Sequence, residues 1–180
     1  CSIASLPGMR ERTVLLSGFS KAFAMTGWRI GYACAPAALD SAMLKVHQYT
    51  MLCAPRVAQH AAVAALAGGF ADGFSAVAAM RAEYDKRRRF LVGAFREMGL
   101  SCFEPRGAFY AFPSVERPGL TGEQFAERLL MEEQVAVVPG NAFGACGKYH
   151  VRCSYATGMA ELKEAAARMA RFVEKIGKNA

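Results

Sequence analysis

The run Gly18-Phe19-Ser20-Lys21-Ala22-Phe23-Ala24-Met25-Thr26-Gly27-Trp28-Arg29-Ile30-Gly31-Tyr32 constrains this chain more than any other stretch. A strand-like segment, Thr13 to Leu16, leads into it, and a second, Trp28 to Ala35, leads out. Small residues at Ser17, Gly18, Ser20 and Gly27 lie between, so the pattern places Lys21 on a loop at the ends of paired strands. Arg29 follows eight positions later. A primary amine can condense with an aldehyde, and a planar guanidinium can grip a phosphate through two parallel hydrogen bonds. Either cation alone would be an ordinary solvated charge. Their shared frame singles them out.

Composition excludes several classes. The 180 residues are 53% hydrophobic and 21% charged, a globular balance with ample material for a core. No apolar run reaches eighteen residues, so no transmembrane helix and no membrane partner is expected. The opening Cys1-Ser2-Ile3 lacks a charged segment with an apolar stretch behind it and is not expected to be a signal peptide. Six cysteines are scattered without a CxxC pair, mostly in apolar surroundings, which predicts reduced, buried thiols and a cytoplasmic location. His47, His60 and His150 have no ligand spacing, and no metal site is expected. The net charge of +7 raises the question of nucleic acid. The densest basic run, Lys86-Arg87-Arg88-Arg89, follows Glu83 and Asp85, which precede Arg87 and Arg89 by four positions. Helical pairing would neutralise half of it. With no aromatic interleaving it reads as a solvated helix face, and no nucleic-acid partner is expected.

Along the chain, residues 1–12 read as an irregular lead-in. Pro36 opens a helix with Met43, Val46, His47 and Thr50 on one face. An alanine-rich helix runs from Arg56 to Leu66, stopped by Gly68 and Gly69. A long helix from about Phe74 to Met98 carries the stripe Val77, Met80, Tyr84, Leu91, Phe95 and Met98, with Gly99 as its cap. A domain boundary is placed near residue 72. Beyond it come short strands at 101–103 and 108–112, and a helix opened by the capping box Thr121/Gln124 with Phe125, Leu129 and Leu130 inward. A buried strand at 135–138 and another at 150–155 follow. Thr157 opens a last helix striped by Leu162, Ala166, Met169, Val173 and Ile176.

The lysine frame resembles the pyridoxal-phosphate lysine site of the class I aminotransferases, within the fold type I enzymes. Gly18, Phe19, Ser20 and Lys21 match the first part of that signature, and Gly27, Trp28, Arg29, Ile30 and Gly31 the second. Gly107-Ala108-Phe109-Tyr110, Val137-Val138-Pro139-Gly140 followed by Phe143, and Val151-Arg152-Cys153-Ser154-Tyr155-Ala156 look like the C-terminal domain of the same family. The resemblance implies an α/β fold, with residues 1–72 as the tail of the large cofactor-binding domain. Residues 73–180 would be the connecting helix and the small C-terminal α/β domain. It implies that Lys21 is catalytic and binds pyridoxal 5′-phosphate, with Arg29 on the phosphate. Arg152 would hold the α-carboxylate of an amino acid or 2-oxo acid, because a bidentate pair fixes the orientation of the Cα–H bond. The complete enzyme would be a homodimer.

Departures from the family pattern sharpen the expectation. Gly18 stands where many relatives have a serine that helps hold the phosphate, so that contact passes to Ser20 or Ser17, or is lost. The groups that contact the cofactor ring precede the lysine in the family, so these 180 residues alone are expected to be incomplete and inactive. Phe109 and Tyr110 are divided between lining the substrate entrance and filling the core, and Trp28 is read as packing. A carbon–sulfur β-lyase with nearly the same lysine motif is the alternative enzyme. A truncated or regulatory version of the fold is the alternative outside catalysis.

Overall fold

The computed structural model describes residues 1–178. They form two compact units that divide between Ala79 and Met80, each with its own core.

In the first unit, β1 (Leu15–Gly18) and β2 (Gly31–Cys34) pair antiparallel, with Leu16 opposite Ala33 and Gly18 opposite Gly31. Helix α1 (Phe19–Ala22) continues directly from β1, and the N–H of Phe19 still donates to the carbonyl of Ile30 at 3.2 Å. Residues 28–30, expected in the second strand, are not in it. Trp28 ends a short 3-10 turn, and Arg29 adopts a left-handed backbone at φ 49°. Such a conformation costs a residue with a Cβ about 1–2 kcal/mol and cannot continue a pleated strand. Phe19, Met25 and Ile30 close over Ala58 and Ala62 of α3 (Arg56–Asp72) to make this unit's core.

Helix α3 runs through Gly68 and Gly69 rather than stopping there, and ends where Gly73 turns left-handed at φ 68°. Gly69 serves packing instead: a Cβ on it would collide with the ring of Phe74, whose N–H donates to the Gly69 carbonyl at 2.8 Å. Helix α2 (Ala37–Thr50) begins after Pro36 as expected, yet of its expected face only Met43 is even half-buried. Leu16, Tyr49 and Phe70 are 74%, 93% and 77% exposed, so apolar periodicity here marks faces that the described residues do not cover.

The second unit is an antiparallel sheet in the order β3 (Tyr110–Ala111), β5 (Val151–Ser154), β4 (Val138–Pro139), backed by α5 (Gly122–Glu133) and α6 (Met159–Gly177). The expected strand at 101–103 reduces to a single bridge from Cys102 to Pro113. Helix α4 (Ser75–Glu97) supplies Leu91, Val92 and Phe95 as buried residues, and its end is a full Schellman motif. Gly99, at φ 75°, donates to Arg96, and the buried Leu100 donates to Phe95. The capping box at Thr121 and Gln124 forms with both reciprocal bonds. Leu130, expected inward, is exposed, while Phe125 and Leu129 are buried. On α6 the buried stripe is Leu162, Ala166, Met169, Phe172 and Ile176, so Phe172 takes the place expected of Val173.

Two further expectations change. Cys1, Cys34, Cys53 and Cys146 are exposed, Cys102 is half-buried, and only Cys153 is buried; all six are free thiols. The basic run does lie on α4, but Glu83 pairs with Lys86 instead of Arg87. Asp85 takes both Arg88 and Arg89, and Arg88 also reaches Glu104. These arginines hold the carboxyls of Asp85 and Glu104 below the usual carboxylate range. Among the described residues no single helix is long and apolar enough to cross a membrane, and no three His, Cys, Asp or Glu side chains gather as a metal site.

Candidate active site

The four residues singled out by sequence divide between the units. Ser20, Lys21 and Arg29 belong to the first, Arg152 to the second.

Lys21 is positioned by the join between β1 and α1. The strand pairing ends at Gly18 and Gly31, and the buried Phe19 pins the turn by packing on Phe23 and Tyr32, with ring centres at 5.2 and 5.6 Å. Ser20 and Lys21 follow on α1, Ser20 half-buried and Lys21 exposed. The Lys21 carbonyl accepts from Ala24, which itself turns left-handed at φ 53°. Thus Ala24 and Arg29, both left-handed, bracket the loop between α1 and β2. Glycine suits position 31 because a Cβ there would stand 3.0 Å from the Ser17 carbonyl, a tight contact with backbone. Arg29 Nη1 donates to the Thr26 carbonyl at 3.0 Å, tying the side chain back onto its own turn. The rest of the five-donor fork remains for an oxygen ligand. Trp28, read as packing, is 44% exposed.

Arg152 lies on the central strand β5. Val151 and Cys153 point into the core, so Arg152 and Ser154 stand on the opposite face. Val138 is opposite Arg152 on one side, and Tyr110 is opposite Ser154 on the other. The guanidinium carbon sits 4.3 Å from the centre of the Tyr110 ring and 4.5 Å from that of Phe143, which ends the 3-10 turn Gly140–Phe143. Phe109 stacks on Tyr84 at 5.9 Å and meets Tyr110 at a tilt of 50°, with ring centres 4.7 Å apart, and Tyr110 is half-buried. Sequence reasoning did not find the two rings on Arg152. The diagonal relation of Tyr110 to Arg152 follows only from the strand register, which no local pattern carries.

The first unit offers a hydroxyl and an amine on α1 and a guanidinium after the turn that follows, where sequence expected Lys21 on a loop; the second offers a guanidinium over two rings on a strand. The sequence model of the aminotransferase class I and II family matches residues 3–169. The chain belongs to this family. Among its relatives in the family, YugH of Bacillus subtilis (strain 168) is 57% identical over 174 residues, covering 97% of this chain and 44% of that protein. The aspartate aminotransferase of Pyrococcus abyssi (strain GE5 / Orsay) is 47% identical over 174 residues, with the same shares covered. A solved structure of an aromatic aminotransferase from Pyrococcus horikoshii OT3 superposes with a TM-score of 0.91 at 47% identity, covering 97% of this chain and 46% of that one. The chain thus spans under half the length of the relatives it matches. Its fold is that of the fold type I aminotransferases, an α/β architecture. Aminotransferases of this family depend on pyridoxal phosphate. The donor set on the Lys21 loop fits that cofactor: an amine for the aldehyde, and Arg29 with Ser20 for the phosphate.

Proposed function

We propose that the complete protein to which these residues contribute is an aminotransferase that moves an amino group between an α-amino acid and a 2-oxo acid. The observation that carries this is the Lys21–Arg29 loop, set on paired strands in a chain of the aminotransferase class I and II family. Lys21 Nζ would hold pyridoxal phosphate covalently through its aldehyde. As a free amine, Nζ would be the group that takes a proton from the substrate Cα and returns it on the other side of the exchange. Arg29 neutralises the phosphate with its planar fork, and Ser20 adds a hydroxyl. The bound cofactor supplies the electron sink that makes the Cα–H acidic. Arg152 receives the α-carboxylate, and a bidentate pair of that kind fixes the orientation of the substrate's Cα–H bond.

In this reading residues 1–72 are the tail of the large domain, and residues 73–180 are the connecting helix and the small domain. The apolar faces left uncovered in the first unit, with Leu16, Val46 and Phe70 all exposed, support a homodimer whose partner and remaining large domain cover them. Six unpaired thiols, four of them exposed, fit a reducing, cytoplasmic location. Relatives named for aspartate and for aromatic amino acids match at 47% and 44% identity, so an amino-acid substrate is supported without a choice of side chain.

The test is covalent. Borohydride reduction of the complete protein loaded with pyridoxal phosphate should leave the label on Lys21 after peptide mapping. A label on any other lysine overturns the assignment. The 180 residues alone, assayed with glutamate or aspartate and the matching 2-oxo acids, should show no turnover that Lys21→Ala removes.

A further inference from the structure

The two rings on Arg152 come from two different elements, and the fold brings each to its place. Tyr110 faces Ser154 across the β3–β5 pair, which sets it diagonally to Arg152, within reach of an aromatic side chain. Phe143 is carried over by the turn that follows β4, whose Val138 and Pro139 pair with Arg152 and Val151. That turn runs so close to its neighbours that a Cβ on Gly140 would meet the His150 carbonyl at 2.7 Å and the Phe112 ring at 2.9 Å. Phe143 is braced in turn. Its ring meets the edge of Phe112 at 6.2 Å and 77°, and Phe112 lies flat on His150 at 5.1 Å and 9°.

All the N–H bonds of a guanidinium lie in its plane, and contact with a ring through the guanidinium carbon does not use them. Among the described residues no carboxylate pairs with the Arg152 side chain, whose guanidinium carbon lies over the two rings. A long side chain of this kind normally loses rotamer freedom when it binds an anion. Here the stacking removes much of that freedom in advance, which is how preorganisation raises affinity.

We infer that Tyr110 and Phe143 are positioning residues that clamp the Arg152 guanidinium so that its in-plane fork meets the substrate carboxylate ready-aligned. The inference rests on the reading of Arg152 given above. It requires the ring faces, since the attraction comes from the aromatic quadrupole and not from a phenolic hydroxyl.

The test uses the complete protein loaded with pyridoxal phosphate and reads the dissociation constant of 2-oxoglutarate for that form by calorimetry, where no amino group is transferred. KM and kcat with glutamate as donor accompany it. Tyr110→Leu and Phe143→Leu should each raise the dissociation constant and KM by about 3- to 30-fold, with kcat changed far less. Tyr110→Phe, which keeps the ring, should stay within about twofold, and Arg152→Ala should lose about 100-fold. Phe143 is 51% exposed and Tyr110 half-buried, so thermal unfolding should show both leucine variants folded; if one is not, the other decides. Leucine variants that bind as the parent does, beside an Arg152→Ala variant that does not, overturn the clamp and leave the carboxylate role standing. A loss in Tyr110→Phe as large as in Tyr110→Leu overturns the clamp as well, because the hydroxyl is then the active part. An Arg152→Ala variant that binds 2-oxoglutarate normally removes the carboxylate role itself.

Discussion

The hydroxyl of Tyr155 donates to the carbonyl of Ala108 at 3.2 Å, and the backbone N–H of Tyr155 donates to Phe109 at 2.9 Å. Ala108 has a left-handed backbone, φ 57°, a conformation that persists only where its surroundings hold it. Tyr155, 2% exposed, is the holder, and it fixes where the chain enters β3 with Phe109 and Tyr110. Replacing it with Phe keeps the ring and strips the donor from the Ala108 carbonyl, in a part-buried bond. Tyr155→Phe should lower stability by about 1 kcal/mol in urea unfolding, and a loss indistinguishable from zero would mean the bond holds nothing.

Arg29→Lys tests the phosphate role without removing charge. Lysine cannot reproduce the planar fork, and it also loses the bond to the Thr26 carbonyl. Pyridoxal phosphate should dissociate about tenfold more readily from the variant of the complete protein, measured by its absorbance after equilibrium dialysis. Retention equal to the parent's would exclude Arg29 from the phosphate.

Burial pushes the Cys153 thiol up from 9.0 to about 12, with nearby Cys102 adding to the effect. A raised thiol pKa favours the folded state below the ordinary value, and the advantage fades as pH rises from 9.0 towards about 12. Unfolding midpoints should therefore fall more steeply over that alkaline range in the parent than in Cys153→Ala. At pH near 8 a thiol reagent should label the four exposed cysteines at once and Cys153 only as the protein unfolds. Prompt labelling of Cys153 would contradict its burial.

Phe172 is fully buried, edge-on to Phe125 at 5.2 Å and 81°. Phe172→Ala should cost about 3–5 kcal/mol and abolish cooperative unfolding of the second unit, followed by near-ultraviolet circular dichroism. A cost under about 1 kcal/mol would show that the core closes around the gap.

What could be read in advance followed the reach of each signal. Thr121 with Gln124, and Gly99 after an apolar stripe, are local devices whose partners lie within a turn, so sequence suffices for them. The Lys21 frame was legible because glycines and two cations stand at fixed spacings. Phe172 and Val173 are neighbours on one helix, and periodicity cannot choose between them; the choice is made by Phe125 across the core. Gly69 looked like a stop because a glycine's packing role depends on what approaches it, here Phe74. The left-handed Arg29 has no signature at all, since no glycine or asparagine announces it. The cysteines misled for a related reason: apolar neighbours in sequence mark a face to be covered without saying what covers it.

The middle strand of the second sheet is also its last in the chain. Both β3 and β4 pair only with β5, so on the ribosome Tyr110–Ala111 and Val138–Pro139 emerge well before Val151–Ser154 exists to receive them. Until then two strand edges and the underside of α5 stand open in a nascent chain, the state most exposed to wrong pairing. Slowing translation just before codon 151 should prolong that window, and chaperone dependence during synthesis should track it rather than the stability of the finished sheet.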